Sequence, residues 1–326
     1  MICSGALLAQ SHAETRSTAI FDLQAHRGGR ALRPENTLAS FRHALEIGVS
    51  TLELDCAITR DGVVVVSHDS ALNPDITRDA SGTFLTATGP AIVTLSFAEL
   101  QQYDVGRLRP GSDYGARFTE QQAVDGTRIP RLADVYALVR QSGNHAVRFN
   151  VETKLDPTQP ALTLPPEPFV KAMLKVIRKY GAESRTTIQS FDWRTLAIAR
   201  RLAPEIVTVA LTDQQADDDT VQAGKPGKSP WLDGLDVDDY GGSVPRLVQA
   251  IGSGVWSPNA LDLDARVVAE AQALGLKVIP WTVNDPKDME RVLALGVDGV
   301  ISDRPDLLRS VLAAKGIAVP SPTRVQ

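Results

Sequence analysis

The sequence is short of cysteine, of histidine and of long apolar runs, and each shortage narrows what it can encode. Only two cysteines occur in 326 residues, Cys3 and Cys56, without metal-ligand spacing or a redox motif. A disulfide scaffold and a thiolate metal centre are therefore not expected. No run approaches the roughly 20 apolar residues needed to span a bilayer, so no transmembrane segment is expected. Positive charge is not in excess either. A net charge of −5 gives no general attraction for nucleic acid or an anionic membrane, and any anionic substrate must be met by local positive charge.

With 43% hydrophobic and 22% charged residues, the chain can bury the core of one large α/β domain. Met1 to Ala13 has a short apolar stretch, Ala6-Leu7-Leu8-Ala9, and a small-x-small ending, Ser11-His12-Ala13. It lacks a basic start and a full apolar segment. Two readings stand: the remnant of an export signal, placing the protein in the periplasm or outside the cell, or a plain terminal tail on a cytoplasmic protein.

From residue 20 onward, short β-branched or apolar runs alternate with amphipathic segments, the pattern of repeated βα units. The runs are Phe21 to His26, Thr51 to Ala57, Ala146 to Thr153, Thr186 to Ser190, Val207 to Leu211, Gly254 to Ser257, Leu276 to Thr282 and Gly299 to Ser302. Eight strands with helices between them favour an α/β fold of the (β/α)₈ TIM-barrel type. The expected domain covers 20–315, with tails at 1–19 and 316–326. Residues 70–130, rich in Gly, Pro, Asp and Thr, predict an insertion after the second strand unit that forms a lid. Residues 212–243, with Asp217, Asp218 and Asp219, read as solvated loop.

Strand alternation sorts the polar residues, because side chains two apart face the same way. Glu53 and Asp55 share a face of the second strand, and Asn150, Glu152 and Lys154 share one on the third. Carboxylates directed into a barrel are expensive to bury unless neutralised. Glu53, Asp55 and Glu152 would suit a hard cation such as Mg²⁺ or Ca²⁺. Ion pairs with Arg27 and Lys154 are the other reading, and the two are compatible.

Two of the five histidines fall at strand ends. His26 closes the first strand, and His68 follows a run that returns from the turn Arg60-Asp61-Gly62, which folds it back toward Glu53 and Asp55. Such a pair can act as general base and general acid. His43 and His145 read as structural or surface residues. Arg27, beside Gly28-Gly29, offers a fork that matches phosphate oxygens. Trp281 offers either an apolar wall for a substrate or packing alone.

Taken together, these residues resemble the glycerophosphodiester phosphodiesterase family. The resemblance rests on Ala25-His26-Arg27-Gly28, Arg33-Pro34-Glu35-Asn36-Thr37, Glu53-Leu54-Asp55, Thr59-Arg60-Asp61-Gly62 and Ser67-His68-Asp69, in that order and spacing. It continues through Val151-Glu152-Thr153-Lys154, Gln189-Ser190-Phe191-Asp192, Pro280-Trp281-Thr282-Val283-Asn284 and the segment 296–305. Gly29-Arg30, Ala31-Leu32 and Cys56 are small departures.

The resemblance implies a TIM barrel that hydrolyses glycerophosphodiesters to sn-glycerol 3-phosphate and an alcohol. It implies one divalent cation, Mg²⁺ or Ca²⁺, on Glu53, Asp55 and Glu152, with His26 and His68 as acid and base and Arg27 and Lys154 on the phosphate. A lysophospholipase D on the same barrel and a non-catalytic phosphate-binding barrel are the rival expectations.

Overall fold

The computed structural model describes residues 21–325. The export-signal reading of Met1 to Ala13, with Cys3 and His12, lies outside them.

The described strands are β1 (Asp22–Ala25), β2 (Thr51–Ile58), β3 (Val64–Val66), β4 (Arg148–Thr153), β5 (Thr186–Ser190), β6 (Thr208–Thr212), β7 (Val255–Pro258), β8 (Lys277–Val278) and β9 (Gly299–Ser302). Eight of them run parallel in the order β8-β7-β6-β5-β4-β2-β1-β9. The remaining seam is closed by backbone hydrogen bonds from Asp298 N to Val278 O (2.9 Å), Ile301 N to Pro280 O (3.0 Å) and Val283 N to Ile301 O (3.0 Å). The sheet is thus a barrel, as the alternation predicts.

Three strands, β1, β4 and β8, are shorter than expected, two of them for plain local reasons. Pro280 has no N–H to give to a ladder, so β8 ends at Val278 where a strand to Thr282 was expected. His26 leaves β1 and enters a tight turn, His26–Gly28.

The helices are α1 (Leu38–Ile47), α2 (Phe97–Leu100), α3 (Asp113–Ala116), α4 (Leu132–Gln141), α5 (Pro166–Lys179), α6 (Trp193–Leu202), α7 (Val244–Ala250), α8 (Ala265–Ala273), α9 (Pro286–Ala294) and α10 (Pro305–Ala314). All but α2 and α3 follow barrel strands. The first shows how sequence sets its ends. Thr37 and Ser40 form a reciprocal N-terminal cap, and Gly48 at φ 86° ends the helix in the left-handed region. Phe41, Ala44 and Leu45 then meet Leu52, Leu54, Cys56, Phe149 and Val151 in the layer between barrel and helices. Cys56 is a free thiol in that layer, on the opposite face of β2 from Glu53 and Asp55.

The barrel interior is divided. Its β1, β2, β4 and β5 side is polar: the Asn150 amide donates to Gln24 Oε1 (3.0 Å) and Gln189 Oε1 (2.7 Å), and Gln189 Nε2 donates to Glu53 Oε1 (2.6 Å). The opposite side is apolar, with Val209, Val255, Ile279 and Ile301 packed together and Trp281 against them. A chain of satisfied amides is tolerable inside a barrel because each member has a partner in the same low-dielectric space.

β3 runs antiparallel to β2, with Cys56 opposite Val66, through a turn whose Gly62 has φ 78°. Residues 70–130 contain α2 and α3 and carry a small core of their own, in which Leu72, Ile92, Leu100, Val105 and Ile129 pack on Ala57 and Val65. The segment 212–243 is less solvated than expected: Val221, Leu232 and Val237 are buried in the main core and anchor it. At the other end of the barrel the C-terminal segment lies against α1, where Thr323 N donates to Leu45 O (2.8 Å). No described helix is long and apolar enough to cross a membrane.

Candidate active site

The turn after β1 is held in a conformation few residues tolerate. Arg27 (φ 50°), Gly28 (φ 79°) and Gly29 (φ 87°) are successively left-handed. A Cβ on Gly28 would stand 2.4 Å from Ser40 Oγ, so that position requires glycine. The turn directs the Arg27 backbone N–H onto Glu53 Oε2 (2.7 Å).

His26 Nδ1 lies 2.6 Å from Asp303 Oδ1 at the end of β9. That contact assigns the proton to Nδ1 and leaves Nε2 for the site. Asp303 also receives Arg30 Nε (2.7 Å) and Asn284 Nδ2 (2.7 Å). Burial lowers the His26 pKa, with Asp303 opposing. Asp303 itself is held well below the carboxylate range: burial would raise it, but His26 and Arg30 outweigh burial.

Glu53 and Asp55 rise from β2, and Glu152 comes from β4, where it stands directly opposite Asp55. All three are buried, and one oxygen of each lies within 4.8 Å of the others. Both readings of their charge coexist here. Arg27 Nε is 3.4 Å from Asp55 Oδ2, and Lys154 Nζ is 3.1 Å from Glu152 Oε1. Those cations do not satisfy everything, since Asp55 Oδ1 is buried without a hydrogen-bond partner. An orphaned buried oxygen costs about 1–3 kcal/mol, more when charged. Burial and the neighbouring Asp55 charge push Glu53 well above its usual pKa. Glu152 is pushed up to about 8 by burial, with Lys154 opposing and Asp55 adding. Three converging oxygen donors that resist ionising together fit a divalent hard cation, whose charge would remove the conflict.

The β2–β3 hairpin brings His68 back as expected, with Ser67 N bonded to Asp55 O (3.0 Å). His68 Nδ1 is 2.8 Å from Asp69 Oδ1, and Asn73 Nδ2 holds the other oxygen of Asp69 (2.8 Å). Burial, then Arg27 and Lys154, push the His68 pKa down to about 4. A cavity of about 420 Å³ opens beside His68, Glu152 and Lys154 and is walled by Leu162, Phe191 and Trp231. Trp281 is not among its lining residues. The Trp281 ring meets Phe191 edge to face, centroids 5.3 Å apart, and its indole N–H donates to Ser257 O (2.9 Å). Its contact with the cavity is thus through Phe191.

The sequence reading gave no role to several residues that complete this site. Asn36 Nδ2 donates to Asp55 Oδ2 (2.8 Å), and Glu35 grips Arg27 Nη1 (2.7 Å). Glu35, Asn36, Asn284 and Asp303 all lay within the matched segments, so the signal was there. Arg30, counted as a departure, turns out to bridge to Asp303. Trp231 and Tyr114 gave no signal, because each reaches the site from a long connection.

A family model for the glycerophosphoryl diester phosphodiesterase family matches residues 26–307. A glycerophosphodiester phosphodiesterase of Caldanaerobacter subterraneus is 28% identical over 292 residues, covering 90% of this chain and 98% of that protein. The crystal structure of a candidate glycerophosphoryl diester phosphodiesterase from Silicibacter pomeroyi is 35% identical, with a TM-score of 0.82 over 92% of this chain and 96% of that one. An Oleispira antarctica phosphodiesterase, solved with the product sn-glycerol-3-phosphate, shares the fold at 23% identity and a TM-score of 0.64, covering 89% of this chain and 96% of that one. With a barrel of this topology and a match over nearly its whole length, the chain belongs to the glycerophosphoryl diester phosphodiesterase family of hydrolases.

Proposed function

We propose that the protein hydrolyses glycerophosphodiesters to sn-glycerol 3-phosphate and an alcohol, with Glu53, Asp55 and Glu152 holding one divalent cation, Mg²⁺ or Ca²⁺. The observation that carries this reading is the convergence of three buried carboxylates, one with an orphaned oxygen, at a barrel end that also holds His26, His68, Arg27 and Lys154. When bound, the cation supplies positive charge for the non-bridging phosphate oxygens as charge builds on them.

The chain's own residues do the rest. Arg27 and Lys154 bind and orient the diester, and Glu35 and Glu152 hold those cations in place. One imidazole takes a proton from the attacking oxygen as that oxygen bonds to phosphorus. The other gives a proton to the departing oxygen as its bond to phosphorus breaks, so a neutral alcohol leaves. Asp303 and Asp69 each accept from the Nδ1–H of one ring, so the base is the ring whose Nε2 is bare and the acid is the ring that also carries a proton on Nε2. Phe191, backed by Trp281, forms an apolar wall beside Lys154.

That wall, with Leu162 and Trp231, is also compatible with an acyl chain, which supports lysophospholipase D activity as a second reading. The test is to incubate the protein with glycerophosphocholine and, separately, with lysophosphatidylcholine, and to measure choline. Release from glycerophosphocholine with matching sn-glycerol 3-phosphate is the expected result. Release from lysophosphatidylcholine alone would favour the second reading, and binding without release from either would mean a non-catalytic barrel.

A further inference from the structure

One hydroxyl from the insertion meets the phosphate-binding arginine's support. Tyr114, at the second position of α3, donates its phenolic hydrogen to Glu35 Oε2, while Glu35 Oε1 accepts Arg27 Nη1 at 2.7 Å. The Tyr114 hydroxyl oxygen in turn accepts from Arg30 Nη1 at 3.1 Å and stands 3.5 Å from Arg27 Nη1. Burial, and then the Glu35 charge, keep the phenol protonated well above its ordinary pKa, so it remains a donor.

We propose that Tyr114 is a positioning residue through which the insertion sets the Arg27 guanidinium: its hydroxyl fixes Glu35, and Glu35 fixes the fork that takes the phosphate. Glu35 is buried, and a carboxylate with two oxygens can rotate unless both are held. Arg27 holds one and Tyr114 the other. Without the hydroxyl, Glu35 Oε2 loses its donor and the carboxylate can turn, carrying Nη1 with it. Arg27 Nε makes no hydrogen bond, so beyond its looser 3.4 Å ion-pair contact with Asp55 Oδ2 it does little to resist that turn.

The insertion is anchored well enough to act this way. Tyr114 and Phe118 meet edge to face with centroids 5.3 Å apart, and the Arg30 guanidinium lies 4.8 Å from the Phe118 centroid. Gln121 Nε2 donates to Arg30 O (2.7 Å), and Gln122 N donates to Leu32 O (3.0 Å). Helix α3 is thereby clamped to the same loop that carries Arg27. A barrel strand end supplies the arginine, and an inserted segment supplies its aim.

This rests on the proposed hydrolysis, and the experiment separates the two. Tyr114→Phe keeps the ring and its contacts and removes only the hydroxyl. Because a ground-state phosphate contact is loosened, KM should rise about 5- to 10-fold while kcat changes by less than about threefold. Binding of sn-glycerol 3-phosphate, measured by calorimetry, should weaken by the same factor. In a Glu35→Gln background the Tyr114→Phe change should add less than about twofold, because the two act as a unit. Two results overturn the proposal: an active wild-type enzyme whose KM Tyr114→Phe leaves unchanged, or a full Tyr114→Phe effect in the Glu35→Gln background. A wild-type chain without turnover would remove the underlying reaction, and this role with it.

Discussion

His26 Nδ1 and Asp303 Oδ1 are 2.6 Å apart although 277 positions separate them in the chain. Closure of β9 onto β1 makes them neighbours. If Asp303 sets the His26 tautomer, Asp303→Asn should lower kcat by about 100-fold or more with little change in KM. The same carboxylate predicts a pH effect on stability. Its folded pKa lies below the unfolded value, so its contribution is present above about pH 4 and is lost as pH falls through the folded value. The melting temperature should fall less steeply with acid between pH 5 and pH 2 in Asp303→Asn than in the wild type.

Arg27 and Glu35 form a buried pair, their side chains 8% and 5% exposed. Removing Arg27 takes the paired charge from a buried carboxylate that keeps the Tyr114 hydroxyl, and breaking a buried pair in this way costs about 3–5 kcal/mol. Arg27→Met should lose that much in urea unfolding, and Arg27→Met with Glu35→Met should recover most of it. Equal loss in the single and double variants would show that the pair is not what is being measured.

The His68 ring should stay neutral at pH 6 in the metal-free protein. Its midpoint is set near 4 by burial and by the Arg27 and Lys154 charges, which penalise the imidazolium. Lys154→Met removes one of those charges and should raise the midpoint. Ring proton shifts followed by NMR give both values, and an ordinary midpoint near 6.5 in the wild type would contradict the arrangement.

Glu152 predicts how a cation should act on stability. Its folded pKa, about 8, lies above the unfolded value of 4.5. Stability from the protonated form is therefore present at low pH and is lost as pH rises through about 8. Cation binding needs the ionised form and relieves the repulsion. The rise in melting temperature on adding Mg²⁺ or Ca²⁺ should be larger at pH 8.5 than at pH 6, and the reverse order would contradict it.

Most of the barrel was legible because its strands are short β-branched runs with parity. Glu53 and Asp55 had to share a face, and Arg60-Asp61-Gly62 had to turn the chain back on itself. What stayed hidden depended on closure and on long connections. Asp303 could not be linked to His26 without the seam between the last strand and the first. Tyr114 sits in a four-residue helix inside the insertion, where no periodicity announces it. Trp281 was read from its place at a strand end, but the Pro280 interruption and the packing of Phe191 put another ring in front of it. The buried anchors Val221, Leu232 and Val237 were masked by the acidic residues around them.

On the proposed function the three carboxylates work by holding a divalent cation. The direct measurement is choline release from glycerophosphocholine by protein stripped with EDTA and verified metal-free by elemental analysis, before and after adding Mg²⁺ or Ca²⁺. Negligible turnover in the stripped protein, restored by one of these ions in the wild type and not in Glu152→Gln, is the predicted result. Full turnover by verified metal-free protein would contradict it and leave Glu53, Asp55 and Glu152 as partners of Arg27 and Lys154 alone.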